Sequence, residues 1–522
     1  MFPLSLSFPP DELLLKKSGE KPHSLEKIAR LDNTHPGLTN GTTYYYIVTA
    51  VNAGGESSAS AQASDLPLLQ LAQWASTSTS NVPCYFNGIA SDSSGNTYAV
   101  GTIAATGVVD FGNGVSVTGA VSGGTVIVKY NSAGMALWAR TSTTNGGSSA
   151  AFSGISVDPT GNVLAAGWLA GAGTYGFGNN VTATRDSFFG PVLVKYDSSG
   201  TALWATTSTS STTTSYWNGV ATDTFGNVYC VGYSIVDGTE SFGNGVSYSH
   251  TGNQYFPSIV EYNASGVAQA ANVITTGTGF LQAFQSVAVS PAGDVCAVGY
   301  INGSNSSGTG RSFIVQFSSS LSAPLWTKLL DTPSTNNQLL GVSVDTLGQI
   351  YAVGGYSGST EIDFGNSVKA TGSSTGVNPM LIKLDSSGNT IWARTLTSGQ
   401  GSDQFTGVAL DSIGQPYVSG VTNGTGIHGF GNGIILNEPF SGNNPVVVKY
   451  NAAGDAQWAQ SSFVAPGVTS GDNNNFFAIT VDSLDHPLAA GYFQRTIGYS
   501  KTLVITGANG SNSPVVVRYN PY

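Results

Sequence analysis

The sequence predicts an all-β protein whose main part is a seven-bladed β-propeller built from four-stranded blades. Three observations lead to this prediction. Glycine is abundant, at 68 of 522 residues, and charged residues make up only 9%, which is typical of short strands joined by tight turns. One sequence unit recurs seven times, and each copy carries four strand-like segments. The series also begins and ends part-way through a unit, so its two ends complement each other.

Tryptophan marks the repeat. It stands in a similar apolar context at intervals of 56 to 66 residues, and alanine replaces it in one copy. The seven positions are Trp74, Trp138, Trp204, Ala270, Trp326, Trp392 and Trp458. Regular spacing of this length predicts stacked repeats that bury one another's faces. Because a buried indole removes a large apolar area from water, we expect these tryptophans to anchor neighbouring repeats.

The first repeat shows the four strand-like segments, which we name a, b, c and d. They are Phe86–Asp92, Gly95–Gly101, Val126–Tyr130 and Ala136–Arg140. Short turns rich in Gly, Asn and Asp join a to b and c to d, whereas a longer irregular stretch joins b to c. Four strands in each of seven repeats predict seven propeller blades. A linear solenoid or a row of small sandwiches would leave open sheet edges at both ends.

The ends of the series predict how the ring closes. The repeat region begins with a single d segment, at about residues 70–78, and ends with a single c segment, Val515–Tyr519. The last blade therefore lacks its own d strand, and the first d segment has no blade before it. We expect the N-terminal strand to complete the last blade, which makes residues 67–522 one closed propeller domain.

Residues 1–66 carry no part of the repeat. Within them Leu38, Gly41 and Tyr44 have the spacing of a tyrosine corner, and alternating residues follow up to Gly54. This segment resembles the last two strands of a fibronectin type III domain. Because such a domain needs seven strands, we expect residues 1–66 to be a partial fibronectin type III-like fragment, with residues 1–35 irregular or disordered.

The repeats themselves resemble a known bacterial family. The motifs that carry the resemblance are Asp-Ser-Ser-Gly-Asn-Thr-Tyr-Ala-Val-Gly at residues 92–101 and Val-Lys-Tyr-Asn-Ser-Ala-Gly-Met-Ala-Leu-Trp at residues 128–138. They resemble the bacterial seven-bladed β-propeller (SBBP) repeats, from about residue 67 to the end. The resemblance implies an exported protein of several domains, with fibronectin-like modules as neighbours. It implies no defined activity.

Charge and composition exclude several partners. The net charge is −11 and the 18 basic residues are scattered, so we expect neither nucleic acid nor anionic lipid as a partner. No apolar run reaches the length of a membrane span. Cys84, Cys230 and Cys296 lack zinc-site spacing, and we interpret them as small buried hydrophobic residues. We expect no cofactor, no metal and a monomer.

The N-terminus predicts nothing that would export the chain as it stands. It has neither the basic region nor the apolar region of a signal peptide. Because the fibronectin-like segment is incomplete and the resemblance points to exported proteins, we expect the natural start to lie upstream. On that basis the protein is expected to be extracellular or at the cell surface.

Three short motifs resemble catalytic signatures but lack their structural context. Asp110–Gly112 and Asp363–Gly365 spell a kinase triplet, Gly171–Gly176 matches a phosphate-binding loop, and Gly372–Gly376 matches a nucleophile elbow. No helix is predicted after any of them. The acids that end the a segments stand in hairpin turns, where we expect them to accept backbone hydrogen bonds. We therefore predict no catalytic residue, although paired carboxylates from different blades stay open.

The connections give the two sides of the ring different characters. The a–b and c–d turns are short and nearly constant, whereas the b–c and d–a loops of the other side are long and variable, as binding loops usually are. An aromatic residue often follows the recurrent glycine of strand b: Trp168, Tyr233, Tyr300, Tyr356 and Tyr492. As a hypothesis, these residues form an arc of stacking platforms for a sugar or an extended peptide. The alternative is that they pack beneath the loops they introduce.

Together these features predict a non-catalytic, exported or cell-surface scaffold that binds a protein or a glycan on its long-loop side. Two alternatives stay open. One is a hydrolase or lyase that acts on polysaccharide with a site at the central channel. The other is an architectural spacer in a larger adhesin-like protein.

Overall fold

A computed structural model divides the chain into two compact units, Met1–Leu71 and Ala72–Tyr522. It describes six short strands in the first 70 residues. Beyond them it describes residues 71–119, 123–144, 149–185, 189–209, 214–235, 238–250, 254–274, 281–302, 310–330, 336–438, 441–462, 473–500, 503–507 and 511–521. All regular structure in these residues is β-strand, which confirms the all-β prediction.

The first unit contains two small antiparallel groups of strands. One group is Lys27–Ile28, Glu12–Leu14, Ala50–Asn52 and Gly55–Glu56, and the other is Tyr44–Tyr46 with Ala63–Asp65. Leu38 and Gly41, on which the proposed tyrosine corner depends, lie outside the described residues. The fibronectin type III-like assignment of residues 1–66 therefore stays a prediction.

The second unit consists of seven four-stranded antiparallel sheets, as predicted. In the order a, b, c, d, blade 1 contains Cys84–Ser91, Thr97–Ile103, Gly124–Tyr130 and Ala136–Thr141; blade 2 contains Ala150–Val157, Val163–Leu169, Gly190–Tyr196 and Ala202–Thr207; blade 3 contains Thr214–Thr222, Val228–Ile235, Tyr255–Tyr262 and Ala268–Val273; blade 4 contains Leu281–Val289, Val295–Asn302, Gly310–Phe317 and Pro324–Leu330.

The remaining blades follow the same order. Blade 5 contains Asn337–Val344, Ile350–Ser357, Val377–Leu384 and Thr390–Arg394; blade 6 contains Gln404–Leu410, Pro416–Asn423, Asn443–Tyr450 and Ala456–Ser461; blade 7 contains Asn475–Val481, Pro487–Gln494, Asn512–Tyr519 and Ala72–Thr77. Short hairpins occupy most b–c connections: Gly107–Asp110 with Ser116–Gly119, Gly173–Gly176 with Thr182–Arg185, Gly238–Gly243 with Val246–His250, Glu361–Asp363 with Lys369–Thr371, Gly426–Gly431 with Ile434–Glu438, and Thr496–Gly498 with Val504–Thr506. Thr143–Thr144 adds a strand to the hairpin of blade 2.

The ring closes through the N-terminal strand, which confirms the predicted closure. Ala72–Thr77 pairs antiparallel with the last strand, Asn512–Tyr519, and Trp74 lies opposite Arg518. Each strand a contacts strand a of the next blade, and the series returns from blade 7 to blade 1. The seven a strands therefore surround the central channel, with the d strands on the outer rim.

The aspartates at the ends of the a strands shape the a–b turns. Asp92 Oδ1 accepts hydrogen bonds from the backbone N–H groups of Ser94 and Asn96, both at 2.9 Å. The same pair of bonds recurs in five other blades, at Asp158, Asp223, Asp345, Asp411 and Asp482. The predicted structural role of these acids is thereby confirmed.

Four of the repeated tryptophans, Trp74, Trp138, Trp326 and Trp392, donate a hydrogen bond to the c–d turn of the next blade. Trp138 Nε1 donates a hydrogen bond to the carbonyl oxygen of Ser198, at 3.1 Å, in the c–d turn of blade 2. Its ring lies against Gly200 of that turn, where a Cβ atom would be 2.7 Å from the indole. The same contact at the closure joins Trp74 of blade 7 to the Ser132 carbonyl of blade 1, at 3.0 Å.

A bulge in each a strand provides a second joint near the channel. The pairing of strand a with strand b shifts by one residue there, between Phe86 and Gly88 in blade 1. In three blades the side chain of the extra residue donates at 2.8 Å to a carbonyl oxygen of the next a strand: Asn87 to Phe152, Asn218 to Phe284, and Thr406 to Phe476.

The apolar cores lie between successive blades. Each contains the inward faces of two neighbouring sheets, and all three cysteines are free thiols buried in these cores. Burial raises the pKa of each thiol, so the cysteines are uncharged and act as small hydrophobic residues, as predicted. Among the described residues there is no helix that is long and apolar enough to cross a membrane.

Candidate ligand-binding site

The proposed stacking residues belong to a set of fourteen positions that we call the mouth ring. In each blade the ring contains the residue after the recurrent glycine of strand b and the strand a residue that pairs with it. In blade order the pairs are Tyr85 and Thr102, Ala151 and Trp168, Tyr216 and Tyr233, Ala283 and Tyr300, Gln338 and Gly355, Gln404 and Val421, and Asn475 and Tyr492. Strand a begins and strand b ends here, so the ring surrounds the channel on the long-loop side.

The side chains of the mouth ring are uncharged, and aromatic and amide residues occupy different parts of it. Six positions are aromatic, and they belong to blades 7, 1, 2, 3 and 4. Three positions are amides, Gln338, Gln404 and Asn475, in blades 5, 6 and 7. None of the fourteen is Asp, Glu, Lys, Arg or His. An aromatic arc and an amide arc therefore share one rim.

The aromatic arc is densest at blades 2 and 3. Trp168 and Tyr216 lie edge to face across the blade boundary, with ring centroids 5.8 Å apart, and Tyr216 stacks on Tyr233 at 5.0 Å. Two residues from the start of strand c, or just before it, extend this group: Phe189 stacks on Tyr216 at 5.3 Å, and Tyr255 lies 5.1 Å from Tyr233. All five side chains are partly exposed. They form one continuous aromatic surface.

The hydroxyls of Tyr216 and Tyr300 stay protonated at neutral pH. Burial and the neighbouring Tyr255 raise the pKa of Tyr216 to about 12. The pKa of Tyr300 is raised for the same two reasons. A protonated phenol both donates and accepts hydrogen bonds, so these residues offer a flat ring and a polar edge together.

A smaller aromatic group lies at the junction of blades 7 and 1. The ring of Tyr492 lies 6.5 Å from that of Tyr85 and 5.6 Å from that of Phe477. The amide of Asn475 donates to the Tyr492 hydroxyl at 2.7 Å, and Asn443 Nδ2 donates to Asn475 Oδ1 at 3.2 Å. The amide arc is thereby fixed against the aromatic arc at this point.

Tyr356 does not belong to the mouth ring, which corrects the set chosen from the sequence. Its side chain is fully buried, at 0% exposure, in the core that also contains Cys296 of blade 4. Two glycines, Gly354 and Gly355, precede it, and Gly355 takes the ring position. Successive strand residues point to opposite faces, so a shift of one residue turns Tyr356 away from the rim.

Trp168, Tyr233, Tyr300 and Tyr492 keep the predicted position, and the structure adds partners that sequence reasoning missed. Tyr216 and Tyr85 come from strand a, one residue before a buried aromatic residue in each case. Their contacts to strand b depend on the pairing register, which repeat spacing alone does not reveal. The sequence carries one signal for these strand a residues: an aromatic residue directly precedes both Phe86 and Trp217.

One histidine–aspartate pair has a geometry that acid–base catalysis also uses. His428 Nδ1 lies 3.1 Å from Asp403 Oδ2 in blade 6, and both side chains are at most 2% exposed. Burial lowers the pKa of His428, but the hydrogen bond and charge of Asp403 outweigh burial and raise it overall. Because a substrate in solvent does not reach either group, we interpret the pair as an anchor for the b–c hairpin. No cluster of metal-ligating side chains occurs in the described part of the chain.

Comparison with known proteins finds no protein family and no curated protein that matches the sequence. The resemblance to SBBP repeats and to fibronectin type III domains therefore rests on the motifs alone.

Three solved structures are similar at low identity. A protein of unknown function from Dyadobacter fermentans is 11% identical with a TM-score of 0.38, over 71% of this chain and 95% of that chain. YCF48 bound to a D1 peptide is 11% identical with a TM-score of 0.39, over 87% and 96%. The gluconolactonase XC5397 from Xanthomonas campestris is 12% identical with a TM-score of 0.27, over 66% and 94%. At these values the matches do not assign a function.

Proposed function

We propose that this protein is a non-catalytic, exported or cell-surface scaffold that binds a protein or glycan ligand over the mouth ring. The observation that carries the proposal is the continuous, partly exposed surface of Trp168, Phe189, Tyr216, Tyr233 and Tyr255. Aromatic side chains held together at the opening of a rigid scaffold are the groups that dominate binding sites and interfaces.

The chemistry of the rim supports binding over catalysis. Hydrolysis of polysaccharide normally requires two carboxyl groups beside the scissile bond. The mouth ring contains no carboxylate. The ring of aspartates at the other end of the channel, such as Asp92 and Asp158, is occupied with hydrogen bonds to its own turns.

Exported or surface placement is supported by composition. Charged residues make up 9% of the chain, and Ser, Thr and Asn supply most of the polar surface of the loops. The resemblance to SBBP repeats points in the same direction. Fractionation of cells that produce the protein tests this part of the proposal, because the chain should be recovered from the medium or the cell envelope. Recovery from the cytosol alone would contradict it.

The binding test compares ligand retention with and without the aromatic surface. The purified chain is screened on a glycan array and a peptide array, and the double variant Trp168→Ala, Tyr233→Ala should lose the bound ligands. Phe225→Ala is the matched control, because Phe225 is 85% exposed on the opposite side of the ring. Unchanged retention by the double variant would overturn the proposal. Release of products from a bound glycan would instead favour the hydrolase or lyase alternative.

A further inference from the structure

We infer that the ligand of the mouth ring is a neutral glycan chain, laid across the aromatic arc with its hydroxyl groups facing the amide arc. This inference rests on the proposed function and narrows its ligand class. It depends on three features of the rim: the arrangement of the rings, the polar groups opposite them, and the absence of charge from all fourteen positions.

The aromatic arc suits a chain of sugar rings. Trp168, Tyr216 and Tyr233 place successive rings 5.0 to 5.8 Å apart, across a blade boundary and then along one blade. Phe189 and Tyr233 stack on the two faces of Tyr216, so a sugar would contact the outer rings of the group, such as Trp168, and the edge of Tyr216. Sugar rings carry apolar C–H faces about as wide as an aromatic ring, and these faces pack on aromatic side chains to escape water. The arc continues to Tyr300 in blade 4 and, in the other direction, to Tyr492 in blade 7. A chain of several residues fits this length better than a single sugar.

The polar groups of the rim match hydroxyl groups. Gln338 and Gln404 each offer an amide donor and an amide acceptor, whereas Asn475 is buried and bonded to Tyr492 and Asn443. The tyrosine hydroxyls offer a donor and an acceptor in one atom. A sugar hydroxyl also donates and accepts. The bond between Asn475 and Tyr492 shows that amide and phenol groups of the rim already pair with each other at 2.7 Å.

The absence of charge separates neutral ligands from charged ones. An acidic polysaccharide or a phosphate-bearing ligand needs cationic partners, and the mouth ring contains no Lys, Arg or His. The net charge of −11 adds a repulsive field for anions. A basic peptide would likewise find no carboxylate in the ring. Of these ligand classes, a neutral polyhydroxylated chain is the one that needs no charged partner and can use both the aromatic and the amide groups of the ring.

A peptide is the competing occupant. Peptides that bind by strand addition need an exposed sheet edge. The outer edge of every blade is strand d, at the far end of the sheet from the ring, and the inner edge, strand a, lies against strand a of the next blade. A proline-rich peptide would need only the aromatic surface and not the amide arc. Substitution of the amides therefore distinguishes the two ligands.

The test uses affinity electrophoresis of the full chain in gels that contain a β-1,4-glucan, a β-1,4-mannan or a β-1,4-xylan, with polygalacturonate and heparin as anionic comparisons. A proline-rich peptide is titrated in parallel. Tyr233→Ala removes a ring and a hydroxyl, Tyr233→Phe removes only the hydroxyl, and Gln404→Leu removes an amide at similar size. Phe225→Ala is again the control, and circular dichroism checks that each variant is folded.

The inference expects retardation in at least one neutral gel and none in the anionic gels. Tyr233→Ala should weaken that retardation roughly tenfold, and Tyr233→Phe and Gln404→Leu several-fold, because stacking and polar contacts are each lost. Peptide binding that depends on Tyr233 but not on Gln404, without glycan binding, would overturn the inference and leave the proposed function standing. Retardation in anionic gels alone would also overturn it. If neither glycans nor peptides bind through the ring, both proposals fail.

Discussion

The closing strand is held in its blade without a covalent turn, and this predicts a difference between two equivalent tryptophans. Strand Ala72–Thr77 completes blade 7 through pairing with Asn512–Tyr519. In blade 1 the equivalent strand follows strand c directly through a short turn. We compare Trp74→Ala, in the closing strand, with Trp138→Ala, in the continuous blade.

The two substitutions remove the same glycine contact and the same hydrogen bond, and Trp138→Ala also removes a cation–π contact with Arg140, at 5.4 Å, which acts against the expected difference. Each indole is partly exposed, lies against a glycine of the next blade and donates one hydrogen bond, at 3.0 Å for Trp74 and 3.1 Å for Trp138. Replacing a fully buried aromatic residue by alanine costs about 3–5 kcal/mol. For a partly exposed indole with its hydrogen bond we expect about 2–3 kcal/mol in either variant.

The consequence differs because the strands are tethered differently. When strand d of blade 1 separates, the chain still holds it at both ends, so little conformational entropy is gained. The closing strand is joined directly to the propeller only through its C-terminal end. A loss of about 2–3 kcal/mol should therefore raise the population of the detached state roughly 30- to 150-fold in Trp74→Ala.

Hydrogen exchange followed by mass spectrometry measures this opening. The amides of Asn512–Tyr519 that donate to the closing strand should exchange roughly 30- to 150-fold faster in Trp74→Ala than in the parent, if exchange follows local opening. The amides of Gly124–Tyr130 in blade 1 should stay slower than those of blade 7 in both variants. Unchanged exchange in Asn512–Tyr519, or equal opening of the two blades, would refute the reasoning that the closure is the weak joint of the ring.

Four further substitutions test the joints and the buried charges, and one of them, Gly161→Ala, is a control. Gly200→Ala should lower the free energy of unfolding by about 2–4 kcal/mol in urea titrations, because Gly200 has φ 81° and a Cβ atom there would press on Trp138. Gly161 has φ 82° but open space around it, so Gly161→Ala should cost only about 1 kcal/mol. The pKa of His428 is raised in the fold, so the stability that its charged form contributes is complete at low pH and is lost as pH rises through that pKa. The Tm of the parent should therefore fall above about pH 6.5, and His428→Gln should flatten that fall. Burial opposes ionisation of Asp158, but its hydrogen bonds outweigh burial and lower its pKa to about 2. The stability that the ionised carboxylate contributes is therefore lost as pH falls from about 4 towards 2. Asp158→Asn should flatten the fall in Tm over this pH range in the same series of measurements.

The propeller was predictable from sequence because the positions of the repeats show where each blade begins and ends. The interval between Trp138 and Trp204 defines the blade, and the unmatched segments at the two ends define the closure. Many blade-to-blade contacts then follow from the repetition, since a tryptophan of one blade meets the c–d turn of the next at Trp74, Trp138, Trp326 and Trp392. The a–b turns were predictable for a different reason, because an aspartate before two turn residues accepts their N–H groups in any context.

The candidate site was only partly predictable, because it depends on cross-strand pairs. The glycine before Trp168 located one half of each pair, and the other half, such as Tyr216, became visible only with the register. Blade 5 shows how sensitive this is: Gly355 occupies the ring position there, and Tyr356, one residue later, lies in a core. Sequence reasoning also treated the short-turn side as uniform, yet four of its turns carry exposed apolar tips, at Phe225, Leu347, Ile413 and Leu484.

The way the blades are joined explains why the mouth ring is free to vary. Both joints described above use backbone carbonyl oxygens as acceptors: Trp138 donates to the carbonyl of Ser198, and Asn87 to that of Phe152. A backbone acceptor is present whatever residue occupies the position, so neighbouring blades need not change together. The c–d turns lie away from the rim, and the bulges lie next to it but use residues other than the ring positions, such as Asn87 beside Tyr85. Ring positions can therefore hold tyrosine in blade 3 and glutamine or glycine in blade 5 without loosening the ring, which lets one rigid scaffold carry an aromatic arc and an amide arc on the same rim.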